Sequence, residues 1–372
     1  MKIEMFDLER IQSWYENKVD YNLTETGLHP YTLEELLEGD EMRQLAVLRL
    51  GYGQTDGDDE LKETISRLYP GAGPANVLVT NGSAEANFVF TWSNLEPGDQ
   101  LVLMLPNYMQ IWGLARGFGI DVRPFYLQEE LEWGPDIDEV KRLITPQTRV
   151  IALCNPNNPT GSILSEADMK AFVDVAAEAG AWLYVDEIYR GAELNSNETP
   201  SFYGRYDYDK IVVSGGLSKA YGLPGLRIGW LAGPEDIIAN AWAYHDYTTV
   251  STGILSQWLA NRVLQPDRRP HVLGRSRKIL NENIKVIQSW VERHNSLFRF
   301  IPPKASGMAF IRYFIEINSR ELATRLREEK SVFIIDGDCF GMDHYIRIGF
   351  GAEKDYLMGG LTRIDEFLEE QF

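Results

Sequence analysis

The chain has 372 residues, 44% hydrophobic and 24% charged, which suits a folded globular protein with one large domain and a smaller one, or with two similar ones. Its formal net charge of −19 argues against a broad nucleic-acid surface and against binding to anionic membranes, but leaves room for a local basic pocket that takes a small anion. Two cysteines, Cys154 and Cys339, make neither a disulfide framework nor a zinc set, and no apolar run approaches the roughly 20 residues of a membrane span.

The N-terminal stretch MKIEMFDLER is acidic and lacks an apolar signal segment, so the expectation is a cytoplasmic protein with reduced thiols and no metal. Residues 1–44 show no strand of a main sheet and are expected to pack with the C-terminal part as an arm. From residue 58 helix and strand alternate. DDELKETISRLY places Leu61, Ile65 and Leu68 at helical spacing behind Asp58 as a cap. NVLVT reads as a strand, SAEANFVFTW as a helix, DQLVLML as a buried strand, and YMQIWGLARGFG as a helix with a glycine stop. DVRPFYL, TRVIALC, AWLYVDEIY, KIVVSGG and RIGWLAG read as further strands. DIDEVKRLI and SEADMKAFVDVAAEAG read as helices, the second ending at Gly180.

Seven apolar strands alternating with helices imply an α/β domain with a mainly parallel seven-stranded sheet covered by helices, expected over residues 45–250. Past residue 250 a long helix (RSRKILNENIKVIQSWVERH) leads to MAFIRYF, VFIIDGDCF and HYIRIGFG, and a terminal helix follows. Residues 251–372 are expected to form, with the N-terminal arm, a smaller α+β domain.

Ligands of open α/β sheets bind beyond the carboxyl ends of strands. That rule selects Asn81-Gly82-Ser83, Pro106-Asn107-Tyr108, Asn155 to Gly161, Asp186 to Tyr189, and Ser214 to Lys219. In VTNGSAEANF a strand meets a Gly-Ser turn that opens a helix, and Gly82, Ser83 and Ala84 offer backbone donors to an anion. CNPNNPTG pins its backbone with two Asn-Pro pairs and presents the amide of Asn158. In YVDEIYRG a buried strand runs into Asp186, a carboxylate that needs a partner, and Tyr189 follows three residues later. SGGLSKAYGLPGLRIG is the most unusual run, with five glycines around a single lysine, Lys219, and Arg227 eight residues on. A lone loop lysine is ordinarily a surface residue. Beside glycines at a strand end it is also an amine able to approach a flat ligand, form a Schiff base with a carbonyl, and share the site with a phosphate held by Arg227.

Together these motifs resemble the class I/II aminotransferases of the fold-type I pyridoxal-phosphate superfamily, in family order from Gly27 to Arg347. The resemblance implies that Lys219 forms the Schiff base with the cofactor and moves the substrate proton. It implies that Asp186 pairs with the pyridinium nitrogen, that Asn158 and Tyr189 donate to the phenolic oxygen, and that Tyr108 stacks on the ring. Gly82, Ser83, Ala84, Ser218 and Arg227 would cradle the phosphate. Tyr52, in LGYGQTDG, would reach the phosphate of a partner subunit in a homodimer with shared sites. Arg347 would grip the substrate α-carboxylate, with Asn158 beside it, and Gly27 would close over it. The partners implied are an amino acid and a 2-oxo acid.

One position departs from the family: Gly216 stands where a serine or threonine usually bonds the phosphate, and either Ser214 or backbone N–H groups would compensate. TETGLHPYTLEEL and the lysine loop are similar to the capreomycidine synthase branch, which implies elimination or cyclisation as the alternative to transamination. His29 in the first of these reads as a turn cap or as a site residue. Glu25 would favour a cationic substrate, and Tyr21, Trp112, Tyr244 and Tyr247 read equally as pocket wall or core.

Overall fold

A computed structural model describes residues 2–194 and 197–371 of the protein. The strands in chain order are β1 (Tyr21–Asn22), β2 (Val77–Thr80), β3 (Gln100–Leu105), β4 (Asp121–Gln128), β5 (Gly134–Pro135), β6 (Thr148–Cys154), β7 (Trp182–Asp186), β8 (Ile211–Gly216) and β9 (Gly229–Ala232), followed by β10 (Phe298–Phe300), β11 (Met308–Tyr313), β12 (Val332–Phe333), β13 (Ile335–Asp336) and β14 (Tyr345–Gly349).

The large sheet has the order β2-β9-β8-β7-β6-β3-β4-β5. Its centre, β8-β7-β6-β3-β4, is parallel throughout, while β9 runs antiparallel to both β2 and β8. Such strands are buried on both faces, which is why β3 and β7 read as unbroken apolar runs. Alternate residues feed two cores: Val185 and Val213 face one layer with Phe172, while Tyr184 and Val212 face the other with Phe90. The seven expected strands are present. The eighth, β5, is a two-residue edge paired antiparallel with β4, and a Gly-Pro pair carries no strand signal of its own.

The helices begin and stop where their end residues say. Asp58 accepts from Leu61 N at 3.1 Å, and Ser165 and Asp168 form a capping box. Gly119 and Gly180 take the left-handed conformation (φ 83° and 64°) that ends their helices.

The second sheet, β10-β11-β14-β13, is antiparallel, and the helix Arg269–Arg293 connects it to the large sheet's half of the chain. VFIIDGDCF divides between two sheets. Val332 and Phe333 pair in parallel with β1, Ile335 and Asp336 pair with β14, and a short turn of 3₁₀ helix follows at Gly337–Phe340. The arm is thereby stitched to the C-terminal part. Its first helix, α1 (Asp7–Tyr15), turns Leu8 and Gln12 inward. Among the described residues no helix is long and apolar enough to cross a membrane.

Candidate active site

A cavity of about 340 Å³ lies beyond the carboxyl ends of β2, β3, β6, β7 and β8. Ser83, Ala84, Tyr108, Asn158, Asp186, Tyr189, Ser218, Lys219, Arg227 and Arg347 all line it. Segments more than 250 residues apart in sequence therefore converge on one volume.

The floor is set by strand ends. Asp186, the last residue of β7, is buried, and burial raises its pKa. Asn87 Nδ2 and the Ile188 N–H, both at 3.1 Å, oppose that rise by donating to the carboxylate. Asn87 is itself fixed, its Oδ1 accepting from Tyr184 (2.5 Å) and Ser214 (3.2 Å). The Tyr108 hydroxyl donates to Glu9 of α1 at 2.6 Å.

At the head of the helix Ser83–Asn94 the first N–H groups have no intrahelical acceptor. Gly82 sits at φ 79°, and a Cβ there would lie 2.6 Å from Arg227 Nη2. Only glycine lets this guanidinium close over the helix start, and the pair makes an anion cradle. Gly216 has a steric reason: a Cβ would lie 2.8 Å from Ile188 Cδ1 and 3.0 Å from the Ile228 carbonyl oxygen. Ser214 does not supply the missing hydroxyl, because it is committed to Asn87. The hydroxyl-bearing residues lining the cradle side are Ser83 and Ser218.

Lys219 lies half-buried, with Nζ 3.5 Å from Glu25 Oε2. Burial works against its ammonium, but Glu25 and Tyr189 outweigh burial and raise its pKa. Lys219 in turn holds the Glu25 carboxyl below its ordinary range. The Tyr189 hydroxyl lies 2.8 Å from that of Thr26, and burial raises its pKa. Arg347, in the middle of β14, is buried; its Nη1 donates to Asn158 Oδ1 and its Nη2 to the Thr24 carbonyl oxygen, both at 3.0 Å. Among the described residues its Nε has no hydrogen-bond partner, and burial lowers its pKa. The other wall carries Glu9, Gln12 and Glu16 from α1 and its end; burial first, then Glu25 and Glu9, raises the Glu16 pKa.

Gly27 is packed against the lysine loop: a Cβ would lie 3.0 Å from the Ser218 carbonyl oxygen. Tyr52 is 92% exposed and outside the cavity within one chain. His29 is also outside it, with Nε2 3.4 Å from Glu353. None of Tyr21, Trp112, Tyr244 and Tyr247 lines the cavity, and Tyr247 belongs to no core either, being largely exposed. The sequence reading missed Thr24, Thr26, Asn87, Glu9, Gln12 and Glu16. Of these only Thr24 and Thr26 flank a residue it had singled out.

These groups match pyridoxal phosphate piece by piece. The Gly82–Arg227 cradle suits its phosphate, Asp186 its ring nitrogen, the Tyr108 ring its face and the Lys219 amine its aldehyde. The family model for aminotransferase class I and II matches residues 22–364. Capreomycidine synthase from Streptomyces vinaceus is 28% identical, over 96% of this chain and 91% of that protein. Aspartate aminotransferase from Thermotoga maritima is 25% identical, over 94% and 92%. The crystal structure of a PLP-dependent aminotransferase from Streptococcus suis superposes with a TM-score of 0.93 at 31% identity, covering 100% of this chain and 99% of that one. The chain belongs to the class I and II aminotransferase family, and its cofactor is pyridoxal 5′-phosphate.

Proposed function

We propose that the protein transfers the amino group of an α-amino acid to a 2-oxo acid. Arg347 carries this reading. It is a buried guanidinium facing the same cavity as Lys219, bonded to two neutral oxygens, and among the described residues its Nε has no hydrogen-bond partner. Glu25 acts on this cation through space, but among the described residues no carboxylate is hydrogen-bonded to it, and a planar carboxylate fits it in bidentate fashion.

Pyridoxal phosphate, when bound, supplies the electron sink for cleavage at the substrate α-carbon. Arg227, the Ser83 and Ala84 N–H groups and the Ser218 side chain hold its phosphate. Asp186, steadied by Asn87, keeps the ring nitrogen protonated. Tyr108 covers the ring, and Tyr189 and Asn158 hold the phenolic oxygen. Lys219 would hold the cofactor covalently through its Nζ, and the same Nζ, when free, would take the substrate α-proton and return it. Arg347 and the Gly27 backbone orient the carboxylate. Glu9, Glu16 and Glu25 face the remaining volume, which favours a substrate side chain with positive charge. Tyr52 stands beside exposed Val47 and Leu50, an apolar stretch suited to a second copy of the chain, through which it would reach the partner's phosphate.

The test is an amino-acid panel given to the cofactor-loaded enzyme with and without a 2-oxo acid. Transamination requires loss of the cofactor's visible absorbance with at least one amino acid and turnover only when the oxo acid is present. A second reading is supported by the likeness to capreomycidine synthase and by the acidic wall: elimination or cyclisation on a cationic amino acid. Steady product without an oxo acid would select it.

A further inference from the structure

The Tyr189 hydroxyl has one proton, and among the described residues its hydrogen-bond partner is the Thr26 hydroxyl, at 2.8 Å. Both side chains are buried, at 2% and 3% exposure. Two hydroxyls in contact can share only one of their protons with each other, so the direction of this bond decides what Tyr189 offers a ligand. If Tyr189 donates to Thr26, it turns only lone pairs toward the cavity. If Thr26 donates, the Tyr189 proton is directed into the cavity and is strengthened as a donor by the bond behind it.

The Thr26 backbone is held in place from several sides. Arg347 Nη2 bonds the Thr24 carbonyl oxygen. Gly27 abuts the Ser218 carbonyl, and a Cβ on Gly307 would lie 2.9 Å from the Gly27 carbonyl oxygen. These contacts hold the backbone on both sides of Thr26 next to Tyr189.

We propose that Thr26 is a positioning residue whose hydroxyl donates to Tyr189 and commits the Tyr189 proton to the phenolic oxygen of the bound cofactor. This rests on the placement of Tyr189 at that oxygen, as read above. The proton on the nitrogen linking Lys219 to the cofactor competes for the same oxygen. A strong donor there stabilises the linkage without its proton, so Thr26 lowers the pH at which the linkage deprotonates. The charged and titratable groups facing this point are Lys219, Arg347, Asp186, Glu25, Glu9, Tyr108 and Cys154. Replacing Thr26 alters none of them.

The experiment is a pH titration of the visible absorbance of the cofactor-loaded protein, read without substrate. Thr26→Val, of equal shape and without the hydroxyl, should raise the titration midpoint by about half a unit to one unit. Thr26→Ser should restore the wild-type midpoint. In a Tyr189→Phe background Thr26→Val should add no shift. An unchanged or lowered midpoint in Thr26→Val overturns the proposal, and so does an added shift in the Tyr189→Phe background. If Thr26→Val does not fold, Thr26→Ala is read in its place. A wild-type protein that forms no visible band with pyridoxal phosphate overturns the reading of the site itself, an outcome distinct from a band whose midpoint ignores Thr26.

Discussion

Two regions meet at the cavity, and they are built differently. The strand-end loops of the large sheet carry groups spaced along the chain, such as Asp186 and Tyr189 after β7 or Lys219 and Arg227 after β8, on backbones pinned by glycine, proline or a buried hydrogen bond. The segment Thr24–Gly27, by contrast, is four consecutive residues that each engage a different group of the site. Thr24 bonds Arg347, Glu25 pairs with Lys219, Thr26 bonds Tyr189, and Gly27 abuts the backbone of Ser218. The contrast teaches a division of labour. In the function proposed, the sheet edge would hold the cofactor and move the proton, and the arm would set charge, proton direction and carboxylate fit from the other side.

The largest expected effect breaks the sheet-edge half. On the proposed reading Lys219→Ala would remove the covalent anchor and the proton carrier together, and the rate of amino-group removal should fall on the order of 10³-fold or more. Stopped-flow measurement of the half-reaction, with the visible spectrum after dialysis, checks both losses. Retention of near-normal rate would place the chemistry elsewhere. Arg347→Leu tests the seam between the regions. It removes the buried cation that waits for a carboxylate, and kcat/KM should fall about 100-fold. The loss should sit mostly in KM, and a loss confined to kcat would contradict the carboxylate role.

Glu25→Gln tests the arm half by itself. It leaves the covalent anchor in place, so the visible band should persist. Selectivity should change: kcat/KM for amino acids with cationic side chains should drop about threefold to fivefold relative to neutral ones, the scale of one solvent-accessible ion pair. Equal losses for both classes would remove Glu25 from substrate selection and leave it as the counter-ion of Lys219.

The same division explains what was legible in the sequence. Every strand-end group announced itself, because a buried apolar run that stops at Asp186, or at glycines around Lys219, is a local pattern. Gly82 was legible as a turn, although its reason, the approach of Arg227, is a contact between residues 145 positions apart. The arm was only partly legible. Thr26 and Thr24 look like ordinary polar loop residues, and nothing local says that one faces Tyr189 and the other Arg347. Glu9 and Gln12 sit on a helix whose inward face is fixed only when the arm docks. Asn87 lies mid-helix, where an asparagine carries no signal until β7 and β8 bring Asp186 and Ser214 against it. Ser214 shows the same limit in reverse. Its place before the lysine suggested the phosphate, but its hydroxyl is committed to Asn87, on the helix packed against the sheet.

The smallest expected effect probes the rigidity behind the sheet edge rather than the chemistry at it. Glu187 follows Asp186 and turns away from the cavity into a buried polar cluster. Its Oε1 accepts from Ser201 Oγ at 2.9 Å and from Phe202 N at 2.8 Å, its Oε2 has no hydrogen-bond partner among the described residues, and Arg190 Nη1 stands 3.7 Å from Oε2. Burial raises the Glu187 pKa to about 7, with Arg190 pulling the other way. A carboxyl whose pKa is higher in the fold than in the unfolded chain favours the fold while it is protonated. That contribution is complete below the ordinary carboxylate value and is lost as pH rises through 7, a swing of at most about 3 kcal/mol. Glu187→Gln cannot ionise, so the decline in Tm between about pH 5 and pH 8 should be shallower in the variant than in wild type by a few degrees. The difference between the two curves isolates Glu187 from every other titrating group. Parallel curves would mean that Arg190 keeps the carboxylate charged across the whole range. The turn behind Asp186 would then be held by an ion pair, not by a protonated acid.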